Sequence, residues 1–361
     1  MRLFFTALLV LLVFVGFSAG SLTAQTNSAN HPASASTIAL HATSTMNVAS
    51  EMGGAFMNPV KCDGEGNLYI RKLATDRPML GPVVKIDREG KRTALFDPAA
   101  FSQLALDRAD AFSPASDGGL YRIAQSGVLK PRIYVLHFSS DGSPSSPTRL
   151  DADMEVYTFA AFAEGNFLVS GVKRDLLNRN DRGQNFTAVF SADGRELAQL
   201  SFPQPQATTK ASRPGAPSKQ AQTTVAKEAE KPVPMLDLAD AEVGRDGNLY
   251  VMHGSSPALV YVVAPTGKVI RTIKVAPPVP GATPAAFHLS ENQLAILFGD
   301  EKAERQTVVV ADAETGRKIA SYANAPELGP AFACFSANER VFTFLNLGEG
   351  NTLEVTRAAP Q

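Results

Sequence analysis

Short runs of apolar residues, each ending in a turn rich in glycine or asparagine, recur along the chain. The clearest copies are residues 60–70 (VKCDGEGNLYI) and 242–251 (EVGRDGNLYV). In both copies an apolar strand leads through a turn into a second strand that begins with leucine and tyrosine. Four further copies, two of them degenerate, lie at 111–121, 159–169, 287–296 and 332–342. The pattern predicts six copies of one β-hairpin.

A second hairpin follows each of the first five copies. Most of these second hairpins turn through an Asp-Gly or Thr-Gly pair, as at Asp141-Gly142 and Thr266-Gly267. Such pairs supply the positive φ that tight hairpins need. Each unit therefore has four short strands, A to D, and with one exception the turns recur about every 45–52 residues. This period predicts an all-β fold, a six-bladed β-propeller of four-stranded antiparallel blades.

The sixth unit ends after its third strand, so its fourth strand must come from elsewhere in the chain. Residues 36–43 (STIALHAT) alternate in polarity and directly precede the first unit. We expect this N-terminal strand to pair with the last blade and to close the ring. The propeller is then predicted to span residues 37–359.

The exception to the period is a long gap between the third and fourth units. Residues 203–234 lack aromatic residues and are rich in proline, glutamine, threonine, alanine and lysine. Such a segment buries too little apolar surface to offset its ordering entropy. We interpret it as a disordered insertion between blades 3 and 4, either a solvated spacer or a segment that docks a partner.

The N-terminus has the layout of a secretory signal peptide over residues 1–24. Arg2 precedes an apolar run from Leu3 to Phe17, and small residues follow. An uncleaved membrane anchor is the alternative, but the run is shorter than the roughly 20 residues that a spanning helix needs. We predict cleavage between Gly20 and Gln25, a flexible leader over 25–36, no transmembrane segment in the mature chain, and a periplasmic or extracellular location.

Net charge and the absence of known motifs exclude some classes of function but identify no partner. The 361 residues carry a formal net charge of −1, so no global basic field would attract nucleic acid. The sequence contains no HExxH, phosphate-loop or CxxC motif, and its GxSxG match at residues 16–20 lies in the predicted signal peptide. We therefore predict no catalytic residues and expect a monomer.

Charged loops supply the candidate binding residues. In the four-strand order, the D–A and B–C loops share one face of the ring. The D–A loops are acidic in four units, and their carboxylates would allow a Ca²⁺ site, but their differing offsets from the turns favour a solvated rim without a cofactor. The B–C loops are basic in two units, and arginine clusters can hold carboxylates or phosphates. The residues selected on this face are Arg71, Asp110, Glu155, Arg174, Asp240, His253 and Glu327.

The two cysteines, Cys62 and Cys334, lie at corresponding positions of the first and last units. An oxidising compartment would allow a disulfide between them. Equivalent inner-strand positions of neighbouring blades can, however, lie farther apart than the roughly 7 Å between Cα atoms that a disulfide spans. Both outcomes stay open, and this geometric argument favours two buried thiols.

The phrases DGEGNLYI…VVKIDREGK and RDGNLYV…VYVVAPTGK resemble the repeats of NHL-type six-bladed propellers, a group that includes gluconolactonase-like and regucalcin-like proteins. The resemblance spans residues 53–357 and implies the fold rather than the activity. Gluconolactonase-like enzymes hold a divalent metal with a Glu, an Asn and an Asp on inner strands, but no residue here matches those positions. We expect an exported binding module for a protein, peptide or glycan; the alternative is a metal-dependent lactonase-like hydrolase or lyase.

Overall fold

The protein was analysed as a computed structural model that describes residues 37–127, 131–152, 154–173, 178, 181, 183–202, 238–300, 305–347 and 353–361. Twenty-four β-strands make up most of the regular structure of this part of the chain. None of its helices is long and apolar enough to cross a membrane. The predicted signal peptide, the leader at 25–36 and the insertion at 203–234 lie outside the described residues.

Four sheets have four antiparallel strands each, arranged in chain order. The first comprises β2 (Phe56–Cys62), β3 (Leu68–Lys72), β4 (Val83–Ile86) and β5 (Arg92–Phe96). The second comprises β6 (Phe112–Pro114), β7 (Leu120–Ser126), β8 (Arg132–Phe138) and β9 (Thr148–Arg149). The third comprises β10 (Glu155–Ala161), β11 (Phe167–Lys173), β12 (Gln184–Phe190) and β13 (Glu196–Gln199). The fourth comprises β14 (Leu238–Val243), β15 (Leu249–His253), β16 (Ala258–Val263) and β17 (Val269–Val275).

A fifth sheet has eight strands. In spatial order they are β18 (Thr283–Ser290), β19 (Gln293–Asp300), β20 (Arg305–Asp312), β21 (Lys318–Asn324), β1 (Ile38–Asn47), β24 (Leu353–Pro360), β23 (Val341–Leu347) and β22 (Ala331–Ser336). The described helices are short: α1 (Ala49–Met52) and 3₁₀ turns at Pro78–Leu80, Pro98–Leu104 and Pro326–Leu328.

The fifth sheet has eight strands rather than four because the N-terminal strand β1 joins two units. It pairs antiparallel with β24, with Leu40 opposite Pro360 and Asn47 opposite Glu354. At its start it also pairs in parallel with β21, where Ile38 lies opposite Tyr322. The expected pairing of the N-terminal segment with the last unit is thus confirmed. The prediction of six separate four-stranded sheets is corrected, because β1 joins the fifth and last units edge to edge.

The first strands of the units form a closed ring. β2, β6, β10, β14, β18 and β22 each contact the next in this order, and β22 contacts β2. The apolar clusters lie between neighbouring units; one, for example, packs Tyr69 and Phe96 of the first sheet against Phe112 and Phe138 of the second. The described residues therefore form an all-β, propeller-like arrangement whose core is distributed around the ring.

Burial along the strands explains their sequence patterns. All six residues of β16 (ALVYVV) are buried, because a third strand of a unit has strands on both edges and sheets on both faces. β17 (VIRTIKV), the outer strand of the same unit, alternates between exposed and more buried positions. Ile270 on its outward face is 49% exposed. Inner strands thus appear as continuous apolar runs and outer strands as alternating ones.

The predicted hairpin turns adopt the expected backbone. Gly66 and Gly247 have φ of 81° and 76° in the turns of the two clearest repeats. In the first, Oδ1 of Asp63 accepts hydrogen bonds from the amides of Glu65 and Asn67, both at 3.0 Å. In the degenerate fifth repeat, Glu291 takes the left-handed position with φ of 54°. A non-glycine residue at that position explains why this copy is hard to recognise in the sequence.

Candidate functional site

A cavity of about 570 Å³ opens where the first strands pass into their turns. Its wall combines the ends of β2, β6, β14 and β18 with the turns that follow them. These turns join the first and second strands, so the cavity lies on the face opposite to the D–A and B–C loops. Residues of both charge signs line it, including Lys61, Asp63, Lys85, Glu242 and Arg245.

Lys61 crosses the ring below this cavity. Its side chain starts from β2, and its Nζ donates to the carbonyl oxygen of Ala241 in β14 at 3.2 Å. Lys61 is only 7% exposed. An ammonium group removed from water in this way is stabilised by hydrogen bonds to backbone carbonyls. Lys61 thereby places a positive charge at the inner end of the cavity.

His288 and Glu242 form a buried pair beside Lys61. Nδ1 of His288 lies 2.9 Å from Oε1 of Glu242, and the two side chains are 5% and 13% exposed. The other carboxylate oxygen, Oε2, accepts the backbone amide of Leu289 at 2.7 Å. Both oxygens of Glu242 are therefore engaged, so the carboxylate holds the imidazole in one orientation.

Cys62 and Cys334 are joined by a disulfide. The expectation of two free thiols is corrected, because their Cα atoms lie 6.0 Å apart, within the range for a disulfide. The cysteines do not occupy equivalent positions after all. Cys62 is the last residue of β2 and lies opposite Leu68, whereas Cys334 precedes the end of β22 by two residues and lies opposite Thr343. This offset brings the two residues together where β2 and β22 close the ring.

The disulfide lies against His288. Sγ of Cys62 is 3.5 Å from Nε2 and 3.6 Å from Nδ1 of His288. Cys62 also belongs to the cavity wall. The cavity, the disulfide, the imidazole and the carboxylate of Glu242 therefore form one continuous site, which we call the channel site.

The tyrosine of the repeat supports the wall of the cavity. The hydroxyl of Tyr69 lies 3.1 Å from Oδ2 of Asp63 and 3.0 Å from the carbonyl oxygen of Gly118 in the next sheet. Nζ of Lys85 donates to the same carbonyl at 3.1 Å. Burial, followed by the charge of Asp63, raises the pKa of Tyr69 above its usual value. The neutral hydroxyl thus connects two neighbouring units at the cavity rim.

Three of the predicted site residues meet on the opposite face. Nη1 of Arg71 donates to Oδ1 of Asp110 at 2.9 Å and to its carbonyl oxygen at 3.1 Å. Nε of Arg108 donates to Oδ2 of Asp110 at 2.7 Å, and Nη1 of Arg108 lies 4.0 Å from Glu155. Arg71 is only 5% exposed. The cluster is an internally neutralised ion-pair network, and sequence reasoning missed Arg108 as its central cation.

The structure describes two of the other predicted residues with their side chains. His253 ends β15, and Glu327 lies exposed in the 3₁₀ turn Pro326–Leu328. Asp240 is placed by its backbone opposite Met252 in β15. Arg174 lies outside the described residues. Their predicted role in binding stays a prediction.

Arg122 fastens the second sheet to the first near the ion-pair network. It is fully buried, and its Nε donates to the carbonyl oxygen of Ala109 at 2.8 Å. Its Nη1 donates to the carbonyl oxygen of Gly81 in the first unit at 2.7 Å. Burial, and then the charge of Arg71, lowers the pKa of the Arg122 guanidinium below its usual value. Arg122 acts through these backbone contacts and holds two loops in register.

The carboxylates of the loop rim do not form a metal site among the described residues. No group of three histidine, cysteine or acidic side chains in this part of the chain is placed to hold a metal ion. Asp110 is engaged by two arginines, and Oδ2 of Asp107 accepts the amide of Gly127 at 2.5 Å. The alternative of a Ca²⁺ site thus gains no support from the arrangement of these side chains.

Sequence reasoning missed the channel site, although the repeat contains a signal for it. Lys61, Ser113 and Glu242 all lie opposite the tyrosine of their repeat in the hairpin register. His288 lies opposite Ala295 at the matching position of the fifth unit. Polar residues in one column of otherwise apolar first strands would have indicated a polar channel.

Comparison with known proteins gives distant structural likenesses only. No protein-family model matches the chain, and no curated protein matches it. A solved protein of unknown function from Bacteroides caccae is 13% identical, with a TM-score of 0.43, covering 75% of this chain and 82% of that one. The Dos1 propeller is 11% identical, with a TM-score of 0.39 and coverages of 85% and 81%. YCF48 bound to a D1 peptide is 9% identical, with a TM-score of 0.37 and coverages of 92% and 100%. The propeller arrangement rests on the sheet topology described above, and membership of the NHL-type or lactonase-like group stays a prediction.

Proposed function

We propose that this chain is an exported six-bladed propeller that binds a polar segment of a protein or peptide in the channel site. The main support for this proposal is the cavity of about 570 Å³, which has a wall of mixed charge and Lys61 at its inner end. A rigid concave surface of this kind is a common ligand site in closed β-folds. The ion pair of Arg245 with Glu291 on the wall would supply orientation and specificity.

The blade count follows from treating the eight-stranded sheet as two blades. β18–β21 form one antiparallel unit, and β22–β24 with β1 form the other. The parallel contact between β1 and β21 covers only Ile38 and Ala39. An apolar cluster that includes Leu40, Val308 and Phe344 packs between the two halves, as between the other neighbouring units. Six first strands around one ring support this count.

Export is supported by two independent features of the chain. The N-terminus reads as a signal peptide, and a buried disulfide joins Cys62 to Cys334. Structural disulfides persist in oxidising compartments and are rare in the cytosol. We expect the mature protein, recovered outside the cytoplasm, to begin between Gly20 and Gln25. N-terminal sequencing that finds Met1 on exported material would contradict this.

Binding at the channel site is tested with a library of random short peptides selected on the mature protein. We expect the selected peptides to bind Arg245→Glu about tenfold or more weakly than the unmodified protein. Peptides selected against a positive charge at this position would meet a negative charge in the variant. Glu327→Arg is the matched control, since Glu327 is exposed in the 3₁₀ turn Pro326–Leu328 on the opposite face. Isothermal titration calorimetry measures both variants. An affinity lost with Glu327→Arg and retained with Arg245→Glu would move the site to the predicted loop face.

The metal-dependent hydrolase remains the alternative function, and no observation on the described residues favours it. Dialysis against a chelator, followed by thermal melting with and without Ca²⁺, tests it directly. A ligand at a hundred times its Kd stabilises a protein by about 2.7 kcal/mol. A large Ca²⁺-dependent rise in Tm would therefore favour the alternative over the binding module.

A further inference from the structure

We propose that Cys62 is a site of thiol–disulfide exchange that takes a small-molecule or peptide thiol as its substrate. Three features meet at this sulfur: the disulfide to Cys334, the imidazole of His288 at 3.5 Å, and the wall of an open cavity. This inference is independent of the proposed peptide binding, because it concerns one bond and its chemistry.

The two sulfurs differ in access. The two residues are similarly buried, 7% and 5% exposed, but Cys62 lies in the cavity wall and Cys334 does not. Both cysteines belong to the apolar cluster between the first and last units, with Leu345 and Val355. A thiol that enters the cavity therefore reaches Sγ of Cys62 first, and Cys334 is the leaving sulfur.

The surroundings of Cys62 favour its thiolate after the bond opens. His288, when protonated, places a positive charge 3.5 Å from Sγ, and an adjacent imidazolium lowers the pKa of a thiol. Glu242 holds the ring through Nδ1 at 2.9 Å and acts as a positioning residue. The other charged groups of the surrounding wall are Lys61, Asp63, Glu65, Lys85, Asp117, Arg245 and Glu291.

The exchange balances in two displacement steps. A substrate thiolate attacks Sγ of Cys62, the bond to Cys334 breaks, and Cys334 leaves as a thiolate that takes up a proton. The product is a mixed disulfide on Cys62. A second substrate thiolate attacks the substrate sulfur of that mixed disulfide, releasing the oxidised substrate and the Cys62 thiolate beside His288. Two thiols are oxidised to one disulfide, and the protein disulfide is reduced to two thiols.

The cavity also suits a charged peptide thiol. Glutathione carries two carboxylates and one ammonium group, and the wall carries groups of both charge signs, among them the ion-paired Arg245 and Glu291. Glutathione is therefore the probe for the first experiment.

The first experiment uses the unmodified, oxidised protein under native conditions. It is incubated with reduced glutathione near neutral pH, the reaction is stopped by alkylation, and the cysteine peptides are mapped by mass spectrometry. We expect the glutathione adduct on Cys62 and the alkyl group on Cys334. An adduct confined to Cys334, or a disulfide that is reduced only in denaturant, would overturn the proposal.

The second experiment measures the role of His288 in Cys334→Ser protein, where Cys62 is a free thiol. The rate of alkylation of Cys62 by iodoacetamide is followed across pH. We expect half-maximal reactivity about one pH unit or more below the roughly 8.5 of a free thiol. His288→Gln in this background should return the midpoint toward that value, and Glu242→Gln should move it part of the way.

His137→Gln is the matched control in the same background. The imidazole of His137 stacks on Tyr121, with ring centroids 4.4 Å apart, and lies outside the cavity wall. Its replacement should leave the midpoint unchanged. A midpoint for Cys62 that is equal with and without His288 would refute the assigned role. If His288→Gln lowers Tm sharply, His288→Asn provides the second substitution, and the glutathione experiment needs no variant.

Discussion

Removal of the N-terminal residues through Thr43 tests how the ring is closed. The truncation deletes the first part of β1 and leaves Ser44–Asn47 paired with β24. It removes two parallel pairings with β21, at Ile38 and Ala39, and three antiparallel pairings that begin at Leu40. The edges of β21 and β24 then lie open at one end.

The expected loss of stability comes mainly from one side chain. Net backbone hydrogen bonds contribute about 0.5–1.5 kcal/mol each, and ordering a residue costs about 1–2 kcal/mol, so the lost ladder and the released entropy nearly cancel. Leu40 is 1% exposed and packs with Tyr322, Phe342 and Ala358. Burying such a leucine contributes about 1.5–3 kcal/mol. The truncation should therefore lower the free energy of unfolding by about 2–3 kcal/mol, which corresponds to a fall in Tm of about 4 °C for a domain of this size.

Urea unfolding and light scattering separate the two consequences of the truncation. A chain that begins at Thr37 is the reference, because it keeps the whole of β1. Leu40→Ala in that chain should lose about 2 kcal/mol but stay monomeric, since its strand still covers both edges. The truncated chain should lose stability and also self-associate through unpaired backbone groups. A truncated protein that is monomeric and as stable as the reference would refute the closing role of β1.

Three further outcomes are expected. Arg122→Met should lower the free energy of unfolding by about 3–5 kcal/mol in a urea titration, because the carbonyls of Ala109 and Gly81 lose a buried cationic donor. The control Arg132→Met, at an exposed position of β8, should change the free energy of unfolding by less than about 0.5 kcal/mol. The difference in free energy of unfolding between the unmodified protein and Tyr69→Phe should be constant below a pH of about 10 and should then fall by about 1.4 kcal/mol per pH unit. The reason is that the raised pKa of Tyr69 keeps this side chain protonated in the folded state while it ionises in the unfolded state. A difference that does not change with pH would show that Tyr69 ionises freely in the folded protein. Deletion of residues 207–231 should leave the circular dichroism spectrum and Tm unchanged, and a large fall in Tm would show that the segment is packed.

The hairpin turns and the burial of the strands could be predicted from short stretches of sequence. The turns at Gly66 and Gly247 were predictable because a tight hairpin needs positive φ and glycine adopts it without strain. The alternation in β17 and the apolar run in β16 were equally readable, since burial of a strand is set by its place within one unit. These features depend on neighbours a few residues away.

The channel site depended on contacts that no local pattern contains. Lys61 meets Ala241 and Cys62 meets His288 across 180 and 226 residues of sequence. Equivalent positions would have kept the two cysteines too far apart, but Cys62 lies opposite the first residue of β3 and Cys334 opposite the third residue of β23. The sixth repeat is degenerate, so the register of its hairpin could not be read from the sequence pattern.

The sequence by itself determined the repeated hairpins, the four-strand units and the N-terminal strand that pairs with the last of them, since alternation and turn chemistry act over short distances. Only the tertiary structure decided that β1 would join β21 as well as β24, and that Cys62 and Cys334 would bond. It also decided that the cavity opens on the face of the A–B turns, with Glu242 and His288 inside. Closure of the ring brings together residues that are distant in the chain, and their distances follow from how whole sheets pack rather than from any one segment.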